Sequence, residues 1–262
     1  MKNKFWEFKQ LADAPNNLEL YIYGDVECDS YDWWNDKEIK SETSANTFRD
    51  QLAQHPNANQ IDIYINSYGG SVFEGTAIYS QLKRHPAHKV VHIDGFACSI
   101  ASVIAMAGDE IIMPRNALMM IHNVWQYVCG NSAELRKAAD DLDIINDSSM
   151  QAYLLRAGDK LDKKTLAKMM DNETWLSAAD CIKYGLADKY ADQDADMSNA
   201  ASVLQKANLN IQQRINLQTT LSAKLRQITE GLNPEPKIEP KTEPENHVPT
   251  LMEILCGGKE NK

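Results

Sequence analysis

Cysteine is sparse and dispersed. Five residues, Cys28, Cys98, Cys129, Cys181 and Cys256, are scattered over 262 positions, and no two of them form a Cys-x-x-Cys pair. An odd, spread-out set of this kind is neither a disulfide framework nor a zinc site, and it fits a reducing cytoplasm. Basic residues are in deficit, with 27 Lys and Arg against 37 Asp and Glu and a net charge of -10. Phosphate contacts need clustered Lys and Arg, and no basic stripe with interleaved aromatics is present, so nucleic acid is excluded as a partner. Long apolar runs are missing as well. The longest, about 97–107, is too short and too interrupted to cross a bilayer. The start of the chain, MKNKFWEFKQLADAPNN, lacks the apolar run of a signal peptide. No repeat of about 20–50 residues is present either. The expectation is a soluble cytoplasmic protein with no membrane segment.

What is present is an alternation of strand-like and helix-like segments. Residues 18–26 (LELYIYGDV) and 61–65 (IDIYI) alternate as strands, and 89–93 (KVVHI), 109–113 and 117–121 read the same way. Between them, 44–54 has Ser44 as N-cap with Phe48 and Leu52 on one face. Segments 73–84 and 99–106 resume helical spacing. The order implies an α/β domain with a largely parallel sheet. In such sheets ligands gather where strand ends meet helix starts, and two glycine-containing turns, 66–71 and 94–99, lie at such ends. The polar stretch 27–40 reads as a loop, in which Trp33 and Trp34 are either a local anchor or a partner contact. A long charged helix is expected over 132–156, with Leu135, Leu142 and Ile145 as an apolar seam for another subunit or for the chain's own body. Gly158 ends it, and short helices follow at 162–170 and 178–184.

Beyond about 195 the composition changes. Residues 196–232 form a Gln- and Asn-rich extension with weak amphipathic helical spacing. The segment 233–262 opens with five of the nine prolines mixed with Glu and Lys. A segment like 233–249 buries too little apolar surface to offset its ordering entropy and reads as disordered.

Acyl transfer needs a nucleophile, a base, a group that orients the base, and donors for an oxyanion. Ser99, in GFACSIAS, stands where a strand yields to a helix; it is either a nucleophile or an N-cap. It does not lie in a Gly-x-Ser-x-Gly elbow. His122 ends the strand LMMIH and is either a base or a hydrogen-bonded structural residue. The turn NSYGGS offers backbone N–H groups at Gly69, Gly70 and Ser71 but no Gly-Lys-Ser/Thr, so it is not a phosphate loop. Glu173 and Asp171 are each able to orient a histidine, or are simply solvated acids. Cys98 adjoins Ser99 in apolar company, which disfavours its thiolate.

Three runs in order carry this further: YINSYGGSVFEGTAIYSQLKRH, VVHIDGFACSIASVIAMAGDEIIMPRNALMMIHN and ETWLSAADCIKYGLAD. Over about residues 18–190 the chain resembles the Clp protease proteolytic subunit family, and within it the Clp-related head maturation proteases of tailed phages and prophages. The resemblance implies a crotonase-like ββα superhelix with a protruding long helix, formed by a peptidase domain spanning 1–195. It implies Ser99 as nucleophile, His122 as general base, and an oxyanion hole from the N–H groups of Gly70 and Ile100. Gly69, Ser71 and Val72 would border the bound peptide, and no metal or organic cofactor would be needed. Tyr68 stands where the family usually has Pro. The family's usual triad Asp is replaced by Glu173, two residues before Trp175, with Asp171 as the alternative third member. The resemblance further implies a ring homo-oligomer, heptamer or tetradecamer, with helix 132–156 at the ring–ring contact. The expected substrates are phage scaffold and major capsid proteins, cut without ATP inside the prohead in the host cytoplasm. The alternatives are a housekeeping subunit working with an AAA+ unfoldase, and a crotonase-fold acyl-CoA enzyme.

Overall fold

The computed structural model describes residues 6–11 and 14–195. These fall in the first of two units, Met1–Asn210; the second, Ile211–Lys262, lies outside the described residues, as do the expectations for 196–232 and 233–262. The element order is β1 (Trp6–Leu11), β2 (Ala14–Val26), a small hairpin of β3 (Ser30–Asp32) and β4 (Lys37–Ile39), α1 (Ala45–Leu52), β5 (Gln60–Gly70), α2 (Val72–Arg84), β6 (His88–Cys98), α3 (Ile100–Ala105), β7 (Glu110–Met113), β8 (Leu118–Ile121), α4 (Ser132–Ala157), α5 (Lys163–Asp171), β9 (Thr174–Ser177), α6 (Ala178–Lys183) and β10 (Lys189–Tyr190).

The sheet runs β1-β2-β5-β6-β7-β10, with β8 and β9 branching from β6. β2, β5, β6, β7 and β10 are mutually parallel, and the antiparallel pairs are β1–β2 and β8–β9. Period-two alternation explains the layering. Ile61, Ile63 and Ile65 of β5 are fully buried, as are Leu20 and Ile22 of β2 and Val91 and Ile93 of β6. They form one core with Phe48 of α1, Ile78 and Leu82 of α2, and Ala101 and Ile104 of α3. Each such aliphatic side chain contributes about 1.5–3 kcal/mol through burial. The opposite face of the strands carries the stacked rings of Tyr21, Tyr64 and His92, with centroids 4.9 and 4.8 Å apart.

Helix ends follow their capping residues. Ser44, Asp162 and Ser177 cap α1, α5 and α6 through side-chain oxygens, and Asn131 with Glu134 forms a capping box on α4. α4 is 26 residues long, and its buried residues, Ser149, Met150, Ala152, Tyr153 and Ala157, all lie in its C-terminal part. Leu135 and Ile144 stand exposed, while Leu142 and Ile145 are half-buried. The α/β architecture with a protruding helix is therefore the one expected. Among the described residues no helix is long and apolar enough to cross a membrane.

Two local expectations are corrected, and one strand is added. β1, which pairs with β2 along its length, comes from a polar-looking segment in which Trp6 and Phe8 alternate with Glu7 and Lys9. The stretch 27–40 holds the β3–β4 hairpin, where Trp33 meets Tyr31 edge-on with ring centroids 5.1 Å apart, and Trp33 and Trp34 are 85% and 97% exposed. The turns expected at 66–71 and 94–99 are continuous strand up to Gly70 and Cys98. β5 runs on to Gly70 through a register shift and β6 to Cys98, where β6 exchanges β7 for β8 as its neighbour.

Candidate active site

The exchange of neighbours along β6 builds the site. Val90–His92 pair with β7, whereas Phe96, Ala97 and Cys98 pair in parallel with Leu118, Met119 and Met120 of β8. Two parallel strands in that register deliver their next residues, Ser99 and His122, to the same end of the sheet. There His122 Nε2 lies 2.7 Å from Ser99 Oγ. Ser99 precedes α3, yet its side chain makes no capping hydrogen bond, so the N-cap alternative does not describe it. Its backbone has φ 54° and ψ -131°. For a residue with a Cβ such a conformation costs about 1–3 kcal/mol and persists only when neighbours enforce it. Here the Ser99 N–H donates to the Met120 carbonyl at 2.8 Å, and the Ser99 carbonyl accepts from Ser102 N at 3.0 Å.

His122 is half-buried, and that burial pulls its pKa below the ordinary 6.5, while the charge of Glu173 partly opposes the shift. The imidazole is therefore neutral near pH 7 and able to accept the Ser99 hydroxyl proton on Nε2. The antiparallel β8–β9 ladder ends with Ile121 opposite Thr174, so the next pair of residues is His122 and Glu173. Glu173 is exposed, has φ 47°, and acts on His122 through its charge. Asp171, at the end of α5, is engaged elsewhere: it accepts from Asn123 Nδ2 at 2.8 Å.

The double glycine lies beside the serine. A Cβ built on Gly69 (φ +95°) would stand 2.8 Å from Ser99 Cβ and 3.0 Å from Ile100 N, so only a bare backbone fits against this serine. A Cβ on Gly70 would instead run into the Val26 carbonyl of β2. Ile100 is buried at the start of α3. Ser71 caps α2 by accepting from Glu74 N, and Val72 opens that helix against the core. Cys98 is fully buried, and burial pushes its thiol up to about 12, which removes it as a nucleophile. Among the described residues no group of three or more His, Cys, Asp or Glu is placed to hold a metal ion.

Two residues near the site were not among the expectations. Ser102 is fully buried one turn into α3, and its Oγ lies 2.5 Å from the Ser99 carbonyl oxygen and 2.6 Å from the hydroxyl of buried Tyr153 on α4. The signal available in sequence was a single hydroxyl in the apolar run IASVIA, three residues after Ser99. Nothing in the sequence pointed to Tyr153 as its partner.

Comparison with known proteins gives one consistent result. A family model described as Clp protease matches residues 35–194. The proteolytic subunit 3 of the ATP-dependent Clp protease of Streptomyces coelicolor is 30% identical over 168 residues, covering 62% of this chain and 76% of that protein. The Clp proteolytic subunit of Deinococcus radiodurans is 31% identical, over 54% of this chain and 69% of its own. That of Ligilactobacillus salivarius is 34% identical, over 49% and 65%.

Proposed function

The chain belongs to the Clp protease family, and on that premise we propose that it is a serine endopeptidase with Ser99 as nucleophile and His122 as general base. The observation that carries this reading is the 2.7 Å contact between Ser99 Oγ and His122 Nε2, made by a serine in a strained backbone beside a bare glycine. In the proposed reaction the Ser99 proton passes to His122 Nε2 while Oγ bonds to the scissile carbonyl carbon. The carbonyl electrons move onto oxygen and are held by N–H groups, for which Gly70 and Ile100 are our assignment. Collapse breaks the C–N bond, and His122 gives its proton to the leaving amine. Water, deprotonated by His122, then releases the acyl group. Glu173 is assigned as the residue that orients His122 and stabilises its charged form, on the strength of its facing register position and its effect on the imidazole. Asp171, already bonded to Asn123, is the weaker candidate. Gly69, Ser71 and Val72 are taken to border the peptide. Domain limits of 1–195, 196–232 and 233–262 stay part of the proposal.

We read the active form as a ring homo-oligomer, heptameric or tetradecameric, with the exposed N-terminal part of α4 at the contact between rings. Two roles fit such a peptidase. The relatives' names, which specify ATP-dependent Clp protease subunits, favour a proteolytic subunit fed by an AAA+ unfoldase. The phage-enzyme resemblance and the proline-rich segment favour ATP-independent cutting of scaffold and capsid proteins. Incubating the full chain and its Ser99→Ala variant with an unfolded protein, with and without ATP and a Clp unfoldase, and separately with prohead proteins, separates them by mass spectrometry. ATP-stimulated, Ser99-dependent degradation marks the first role, and site-specific cuts without ATP mark the second. No Ser99-dependent cleavage in any arm rejects the peptidase.

A further inference from the structure

A hydroxyl pair that spans two helices meets the strained Ser99 backbone. Ser102 Oγ lies 2.5 Å from the Ser99 carbonyl oxygen and 2.6 Å from the Tyr153 hydroxyl. Both side chains are buried, Ser102 at 0% and Tyr153 at 2% exposure, so water does not compete for these bonds. Proton accounting fixes their direction. A carbonyl oxygen only accepts, so the one proton of Ser102 goes to Ser99 O at 2.5 Å in preference to the Met120 carbonyl oxygen at 3.4 Å. The Tyr153 O–H must then donate to Ser102 Oγ. Burial also pushes the Tyr153 phenol up, which keeps that proton in place. In a dry setting such a relay strengthens each of its bonds. Its far end stands in the C-terminal part of α4, the only part of that helix with buried residues.

From this arrangement we infer that Tyr153 and Ser102 are positioning residues for the nucleophile. Tyr153 acts only through Ser102, and Ser102 fixes the Ser99 carbonyl. That carbonyl opens the Ser99–Ile100 peptide, so the bond orients both the Ser99 side chain and the Ile100 N–H. The inference rests on the peptidase reading above and goes beyond it by adding two residues that touch neither substrate nor reacting atoms.

The relay makes an asymmetric prediction. Ser102→Ala removes the bond to Ser99 and also leaves the Tyr153 hydroxyl buried without a partner. Tyr153→Phe leaves the Ser102 bond in place but unsupported. The double variant removes both hydroxyls. The readouts are the inactivation rate by a fluorophosphonate probe, split into its maximal rate and its binding constant, and the melting temperature, all on the full chain. We expect Ser102→Ala to lower the maximal rate about tenfold with the binding constant unchanged, and Tyr153→Phe to lower it about threefold. The double variant should match Ser102→Ala in rate while melting at a higher temperature, because the orphan hydroxyl is gone. A purely structural role would make rate follow stability, so a double variant that recovers both overturns the inference. A Ser102→Ala rate within twofold of wild type also overturns it. Wild type that folds but is not labelled at Ser99 removes the peptidase reading beneath it, an outcome distinct from labelled wild type with an indifferent Ser102→Ala.

Discussion

β5 and β6 each have two halves of different character. In the first halves, Ile61–Ile63–Ile65 and Val91–Ile93, side chains alternate between core and outer face and the ladders keep register. In the second halves, Asn66–Gly70 and Asp94–Cys98, the register shifts, Gly69 and Gly70 take positive φ, and β6 changes neighbours. The first halves carry the large aliphatic core side chains, and the Ser99–His122 contact rests on the second. The same strands serve both purposes because the irregularity begins only after the core has been secured. Parallel register then brings residues 23 positions apart, Ser99 and His122, to one end of the sheet.

Variants in the two halves should therefore fail differently. The largest effect is expected from His122→Ala, which should cut peptide hydrolysis by about 10⁴-fold and leave the melting temperature nearly unchanged. If activity survives that change, the second halves are not where the chemistry lies. Ile63→Ala, in the regular half of β5, should cost about 2–5 kcal/mol in denaturant unfolding. Labelling of its folded fraction by a fluorophosphonate should keep the wild-type rate.

Legibility in the sequence follows the same division. Alternation in LELYIYGDV, IDIYI and KVVHI identified the regular half-strands, and helix caps at Ser44 and Gly158 were equally plain. The irregular halves were misread as turns, because glycine and polar residues in NSYGGS and DGF carry the same signature in a turn and in a bent strand. β1 was overlooked because its core-facing residues, Trp6 and Phe8, are separated by charges. Ser99 and His122 were nameable as candidates from their element boundaries, and the family resemblance paired them. The Ser102–Tyr153 bond was not legible, since 51 residues and two strands separate its ends.

Smaller effects sharpen the comparison. Gly69→Ala lies in the irregular half and should slow fluorophosphonate labelling about 10–100-fold, because its Cβ would press on Ser99 Cβ at 2.8 Å. It should also cost about 1–2 kcal/mol for placing a side chain at φ +95°. Wild-type labelling in that variant would mean that the bare backbone is not what shapes the site. A smaller change is expected from Glu173→Gln. Catalysis needs neutral His122, so the rate rises as pH climbs through a pKa held below 6.5 by burial. Glu173 raises that pKa, so removing its charge should move the acid limb to lower pH while the plateau falls about tenfold. A limb that shifts upward, in a pH–rate profile of kcat/KM, would contradict the assignment of Glu173.

The most direct test of the central claim is covalent. The full-length protein is treated with a fluorophosphonate, digested, and sequenced by mass spectrometry. The account predicts one adduct, on Ser99, absent in Ser99→Ala and strongly slowed in His122→Ala. A folded protein that takes no adduct, or takes it on another residue with Ser99 unmodified, would contradict it.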